Sequence, residues 1–175
     1  MKSPICLVIA DDHAFFRGGL KSLLRRQRDM QVVGETGTAA ALMGTLIKTS
    51  CDIVLLDLHM ERSTLFDIAQ LAAVTTVVVL TADESVGIAM MAMRQGARAV
   101  VQKRFAVQTL IEAIHAVAQG LVWTPPALQA EMASQWTTSG CKVLTGCETD
   151  IVRQCGGEPT KRGDFGAARD NRSNS

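Results

Sequence analysis

The chain has 175 residues, a net charge of +1 and 47% apolar residues with no Tyr. That is enough for one domain with a core of Val, Leu, Ile, Met and Ala, plus a remainder. A balanced charge gives no global pull towards nucleic acid, so any such binding needs a local patch. The start, MKSPICLVIADD, lacks a leader-like cleavage site, and no apolar run approaches the length that spans a membrane. The expectation is a soluble cytoplasmic protein. Cys6 and Cys51 read as small buried hydrophobes, and the spacing of Cys141, Cys147 and Cys155 matches no common zinc pattern.

Residues 5–10 (ICLVIA) are apolar and β-branched, too short for a helix, and predict a strand buried on both faces. Residues 13–28 predict a helix with Phe16, Leu20, Leu23, Leu24 and Gln27 on one face and Arg17, Lys21, Arg25 and Arg28 on the other. A strand at 31–36 and a helix at 38–49 follow, the helix with Leu42, Leu46 and Ile47 on one side. IVLLD at 53–57 predicts the third strand, 66–73 a short helix and VVVLT at 77–81 the fourth strand. Residues 84–95 predict a Met-rich helix ended by Gly96 as a C-cap. The last pair is a strand at 97–102 and an amphipathic helix at 106–119 through Val107, Leu110, Ile111, Ile114 and Val117, stopped by Gly120.

Short strands separated by helices cannot be joined as hairpins. They imply right-handed crossovers and one parallel sheet covered on both faces, an α/β doubly wound fold. Ligand sites in such folds lie at the carboxyl ends of the strands. Asp11 and Asp12 follow the first strand, Asp57 ends the third, and Thr81 and Lys103 end the fourth and fifth. Clustered carboxylates repel unless a cation is present, and magnesium suits a site of carboxylates, waters and phosphate oxygens. A hydroxyl and an ammonium beside Asp57 would complete an electrostatic clamp for phosphoryl transfer to a carboxylate. Each feature has a plainer reading. Asp12 could cap the first helix, a Thr at a strand end is unremarkable, and a Lys there is usually solvated. Their coincidence on successive strands favours the phosphoacceptor.

The segments IADDHAFFRGGLKSLL, VLLDLHM, VVVLTA and GARAVVQK resemble the receiver domain of bacterial two-component response regulators, and DDH followed by Phe16-Arg17 and Gly19-Leu20 points to the NarL/FixJ type. The resemblance covers roughly residues 4–120. It implies a flavodoxin-like five-stranded parallel sheet over 1–120, with Asp57 taking a phosphoryl group from a sensor histidine kinase. It further implies Mg2+ held by Asp12 directly, by Asp11 mainly through water, by Asp57 and by the backbone carbonyl of His59. Thr81 and Lys103 would bind the phosphoryl oxygens, with a homodimer or partner contact as the output. No enzymatic activity beyond this self-catalysed transfer is implied. The His59 imidazole itself is not expected to act, and His13 is expected to cap or pack at the first helix.

The chain departs from the family pattern in two places. The loop DLHMERSTL carries Glu61 and Arg62 where the family has Pro-Gly, and Leu65 where it has Gly. Val100 stands where many receivers carry an aromatic residue. Residues 121–143, with Pro125-Pro126, read as a linker containing a short helix. LTGCETDIVRQ at 144–154 resembles the opening of a LuxR-type helix-turn-helix, with Thr145 and Glu148 as a capping box. Nothing after Gln154 resembles its recognition helix, and the Gly-, Arg- and Asn-rich tail reads as disordered. A reading frame shifted by one nucleotide after Gln154 is compatible with the usual continuation, so 144–175 is expected to be a truncated module. No DNA-binding residue is assigned, and DNA binding is doubtful. The competing readings are a functional LuxR-type DNA-binding regulator, a remnant that titrates kinase without output, and a haloacid dehalogenase-type phosphatase. The last is disfavoured because its nucleophile follows the first strand in a DxD pattern.

Overall fold

A computed structural model describes residues 3–104, 107–124 and 129–130. These lie in the first of two compact units, Met1–Thr137. The expected helix-turn-helix opening, the tail and the three later cysteines lie outside the described residues.

Five strands, β1 (Ile5–Ala10), β2 (Met30–Thr36), β3 (Ile53–Asp57), β4 (Thr76–Thr81) and β5 (Ala99–Gln102), form one sheet in the order β2-β1-β3-β4-β5. All pairs are parallel. The helices are α1 (Ala14–Leu24), α2 (Ala39–Lys48), α3 (Ile68–Ala72), α4 (Val86–Arg94) and α5 (Val107–Ala118). The expected alternation is present, with helices trimmed by one to four residues at their ends. A single 3-10 turn, Leu65–Asp67, leads into α3 and leaves only five residues of true helix there.

Alternation along the strands sorts the core into two layers. Val8, Ala10, Val54, Leu56, Val77, Val79 and Val100 pack with residues of α2, α3 and α4. Leu7, Ile9, Ile53, Leu55, Val78, Leu80, Ala99 and Val101 pack with residues of α1 and α5. Both faces are covered, so β1, β3 and β4 read as nearly continuous apolar runs, whereas the edge strand β2 carries Gln31 and Glu35.

Two expected core residues are not buried. Ile47 is 79% exposed and Leu23 36% exposed. Each lies one position round the helix from a true core residue, Leu46 and Leu24, and one step of about 100° turns it off the sheet. Gly96, just past α4, has φ +107°, and a Cβ there would lie 3.0 Å from the Ala72 side chain, so the expected C-cap glycine also makes room for α3.

The chain beyond α5 does not leave at once as a linker. The Trp123 N–H donates to the Arg98 carbonyl at 2.9 Å, Trp123 pairs with Ala99, and Thr124 is buried. This short return covers the free edge of β5. No helix of the described residues is long and apolar enough to cross a membrane.

α5 is also tied to the α1–β2 loop by His115 Nε2 and Asp29 Oδ2 at 2.7 Å. The hydrogen bond with His115 is the main cause holding the Asp29 carboxyl below its ordinary value of 3.8. A lowered folded value means the contact stabilises above the unfolded pKa and is lost as pH falls through the folded one. Asp29→Asn should therefore lower thermal stability relative to wild type at about pH 6 and match it near about pH 2, as melting curves across that range would show.

Candidate functional site

The switch of connection direction at β1 opens a crevice at the carboxyl ends of β1 and β3. β1 and β3 are direct neighbours, so Asp11 and Asp12 come beside Asp57. Parity then decides which side chains meet. Continued past the strand ends, the series Leu7-Ile9, Ile53-Leu55 and Ala99-Val101 carries Asp11, Asp57 and Lys103 onto the α1/α5 side of the sheet.

Those three form the centre of the site. Lys103 Nζ lies 2.7 Å from Asp57 Oδ2 and 2.7 Å from Asp11 Oδ2. Asp11 is fully buried and Asp57 is 1% exposed. Phe16, on α1, places its ring centroid 4.7 Å from the same ammonium, a cation–π contact that adds to the attraction of the carboxylates. Burial alone would lower the Lys103 pKa. The contacts with Asp11 and Asp57 together outweigh it and hold the ammonium above its ordinary value.

Each acid is fixed independently. Asp11 Oδ1 accepts from the His13 N–H at 2.8 Å, and its carbonyl accepts from Arg17. Asp57 Oδ1 accepts from the His59 N–H at 3.1 Å. Asp12 does not cap α1: the N-cap position is His13, and no side chain makes a capping hydrogen bond there. Thr81 is 2% exposed at the end of β4, its hydroxyl accepting from the Asp83 N–H at 3.0 Å. It follows Val77 and Val79, on the other side of the pleat from Lys103.

The loop after Asp57, which carries Glu61 and Arg62, is shaped by its own hydrogen bonds. The Thr64 N–H donates to the Leu58 carbonyl at 3.0 Å and the Met60 N–H to the Arg62 carbonyl at 3.2 Å, framing His59 opposite Ser63. In a non-hydrogen-bonded antiparallel pair of this kind, the N–H and C=O of both residues point outward. The His59 N–H therefore reaches Asp57, and among the described residues no hydrogen bond engages the His59 carbonyl on that same side. Glu61 accepts from the Ala39 N–H at 2.7 Å, at the start of α2, and Arg62 pairs with Asp67 at 2.7 Å.

Thr64 is a site residue that sequence reasoning missed. It is fully buried, and its hydroxyl donates to the Asp57 carbonyl at 2.7 Å. The signal available was a small hydroxyl residue where two shape-giving family residues nearby are absent.

A divalent cation fits the acids. Asp11, Asp12, Asp57 and the His13 imidazole each offer a ligand atom, all within 4.8 Å of one another. Asp11 Oδ2 and Asp12 Oδ1 are buried atoms without a hydrogen-bond partner among the described residues, although Lys103 and His13 stand in ion-pair range. Three carboxylates gathered around one lysine ammonium leave an excess of negative groups that an added cation would offset.

Cys51 is chemically quiet. Burial pushes its thiol above the ordinary value, and Thr75 and the Ile53 carbonyl surround the sulfur. Met90 and Met93 pack against the core, as expected, while Met91 is 44% exposed.

Residues 7–115 match the response regulator receiver domain family. The chain belongs to that family. The receiver is 30% identical over 131 residues to the transcriptional regulatory protein UhpA of Escherichia coli, covering 74% of this chain and 67% of UhpA. It superposes on the receiver domain of NarL from Mycobacterium tuberculosis with TM-score 0.64 and 26% identity, covering 68% of this chain and 99% of that one. The isolated receiver domain of RcsB from Salmonella enterica, determined with the phosphomimetic BeF3-, shares the fold at TM-score 0.66 and 24% identity, covering 73% and 98%. The flavodoxin-like doubly wound fold and the two-component response regulator assignment both follow.

Thr64→Val keeps the volume but leaves the Asp57 carbonyl unpaired in a dry setting, which should cost about 1–3 kcal/mol. Thr64→Ser should restore most of it. Urea denaturation of the three proteins gives the comparison.

Proposed function

We propose that this receiver accepts a phosphoryl group on Asp57 from the phosphohistidine of a sensor kinase, in a magnesium-dependent reaction that it catalyses itself. The observation that carries the reading is the buried Asp57 carboxylate held at 2.7 Å by an ammonium that also contacts Asp11. A carboxylate so held is pre-positioned, and charge gathering on the incoming phosphoryl oxygens meets Lys103 without reorganisation.

In this reading an Asp57 oxygen bonds to phosphorus as the bond from phosphorus to the kinase imidazole nitrogen breaks, and the leaving imidazole takes up a proton from solvent water. Lys103 moves its contact from Asp57 to the phosphoryl oxygens, and the Thr81 hydroxyl donates to another of them. Asp11, Asp12, Asp57 and the outward-facing His59 carbonyl are the proposed metal-binding groups. When bound there, magnesium supplies hard positive charge that lets two acids and a phosphoryl group share one crevice. Such receivers are phosphoacceptors rather than turnover enzymes. Phe15, 96% exposed on α1 beside the site, offers an apolar foothold for the donor protein.

Phosphorylation would act by shifting a two-state equilibrium. Loss of the Lys103–Asp57 contact frees the end of β5 and the connection to α5. A valine at position 100, 1% exposed, rules out an aromatic toggle there, so the shift would run through Lys103 and Thr81. The output proposed is a homodimer or partner contact. Within these residues the pattern after Gln154 does not continue a helix-turn-helix, so the proposal assigns signal reception to this chain rather than DNA reading.

Incubation with Mg2+ and acetyl phosphate should add one phosphoryl group by intact mass, and Asp57→Asn should abolish the gain. A gain that survives Asp57→Asn, or none in wild type, overturns the reading.

A further inference from the structure

The metal-binding groups proposed above are all oxygen donors, but the described cluster contains a nitrogen that they do not use. His13 Nδ1 lies 2.8 Å from Asp12 Oδ1 and 3.6 Å from Asp11 Oδ1. The shorter contact is in ion-pair range for a protonated ring, but it lacks hydrogen-bond geometry, and among the described residues Asp12 Oδ1 has no hydrogen-bond partner. With a neutral ring, the two facing acceptor atoms at 2.8 Å match the spacing of adjacent ligands on one ion, which would take the place of the ring proton. For bonds of 2.0–2.1 Å at right angles, that spacing is roughly 2.9 Å. Asp11, fully buried, and Asp57 bring two more carboxylates into the same group of ligand atoms, and the two share the single ammonium of Lys103.

We infer that His13 makes this a mixed nitrogen–oxygen site, one that binds divalent transition ions through imidazole where magnesium uses oxygens alone. The inference rests on the acid cluster being a metal site, and it adds the class of ion that the site prefers. Magnesium gains little from imidazole, whereas nickel, zinc and manganese sites accommodate it readily. His13 is well placed for the exchange. Its backbone N–H is anchored on Asp11 Oδ1 at 2.8 Å, while its side chain is 68% exposed and swings at little cost. The first turn of α1 has no acidic residue and no side-chain cap that would compete for the ring.

The consequence is discrimination between ions at one crevice. Mg2+ would leave His13 solvated. Ni2+ or Zn2+ would hold it, with Asp12 and Asp11 as carboxylate partners. Losing one ligand from such a set typically costs about tenfold or more in affinity.

The test is titration calorimetry of the full chain with Mg2+ and with Ni2+, in wild type, His13→Ala, His59→Ala and Asp12→Asn, together with spin-echo spectroscopy of bound Mn2+. The expected result is a Ni2+ affinity reduced about tenfold or more by His13→Ala, with Mg2+ affinity within about twofold of wild type. Mn2+ should show imidazole nitrogen coupling that His13→Ala removes and His59→Ala retains. Unchanged Ni2+ affinity in His13→Ala overturns the inference, as does nitrogen coupling lost only in His59→Ala. In both cases Mg2+ binding that still needs Asp12 leaves the acid cluster intact as a metal site. Mg2+ binding indifferent to Asp12→Asn overturns the cluster reading and this inference together.

Discussion

One ammonium between two buried carboxylates organises this molecule's working end. Without Lys103, Asp11 and Asp57 would face each other in a dry crevice as like charges with no cation between them. With it, each carboxylate has a cationic partner and a fixed position, at 2.7 Å each. The arrangement needs three strands in a defined order. β1 must lie against β3 so that the acids are adjacent, and β5 must lie two strands beyond β3, across β4, so that a long side chain spans back. The observed order β2-β1-β3-β4-β5 meets both conditions. Phe16 and Arg17 of α1 complete the support, one against the ammonium and one on the Asp11 carbonyl.

The loop after Asp57 shows how a family feature can be rebuilt by other means. Where relatives of this type carry Pro-Gly, this chain carries Glu61 and Arg62. Glu61 reaches the start of α2 at Ala39, and Arg62 pairs with Asp67. Thr64 takes the interior position and bonds the Asp57 carbonyl. The result leaves the His59 N–H on Asp57 and its carbonyl on the same side. Side-chain bonds thus do here what restricted backbone residues do elsewhere, and a solvent-exposed part of the set such as Arg62 is the more salt-sensitive portion.

Most of the fold was legible because the strands are buried on both faces. ICLVIA, IVLLD and VVVLT have no polar interruptions, and such runs between amphipathic helices admit few topologies. The acids and Lys103 were legible because topology places strand ends together. What the pattern could not supply was side-chain direction within a helix turn and bonding in irregular loops. Ile47 and Leu23 satisfy an apolar periodicity, yet face water because their neighbours already fill the sheet contact. Thr64 and Glu61 bond to groups distant in sequence or to a backbone carbonyl, and no local rule points to such partners. The return of Trp123 to β5 was hidden for the same reason: a short polar-flanked segment reads as linker until its partner strand is known.

The central claim is that Asp57, Thr81 and Lys103 form one phosphoryl-binding unit around the acid pair. Amide NMR of the chain titrated with Mg2+ and beryllium fluoride tests it most directly. The account predicts saturable shifts centred on residues 57–59, 81–83 and 103, extending to the start of α1, with none before Mg2+ is present. Shifts confined to other strand ends, or a full response without Mg2+, would contradict it.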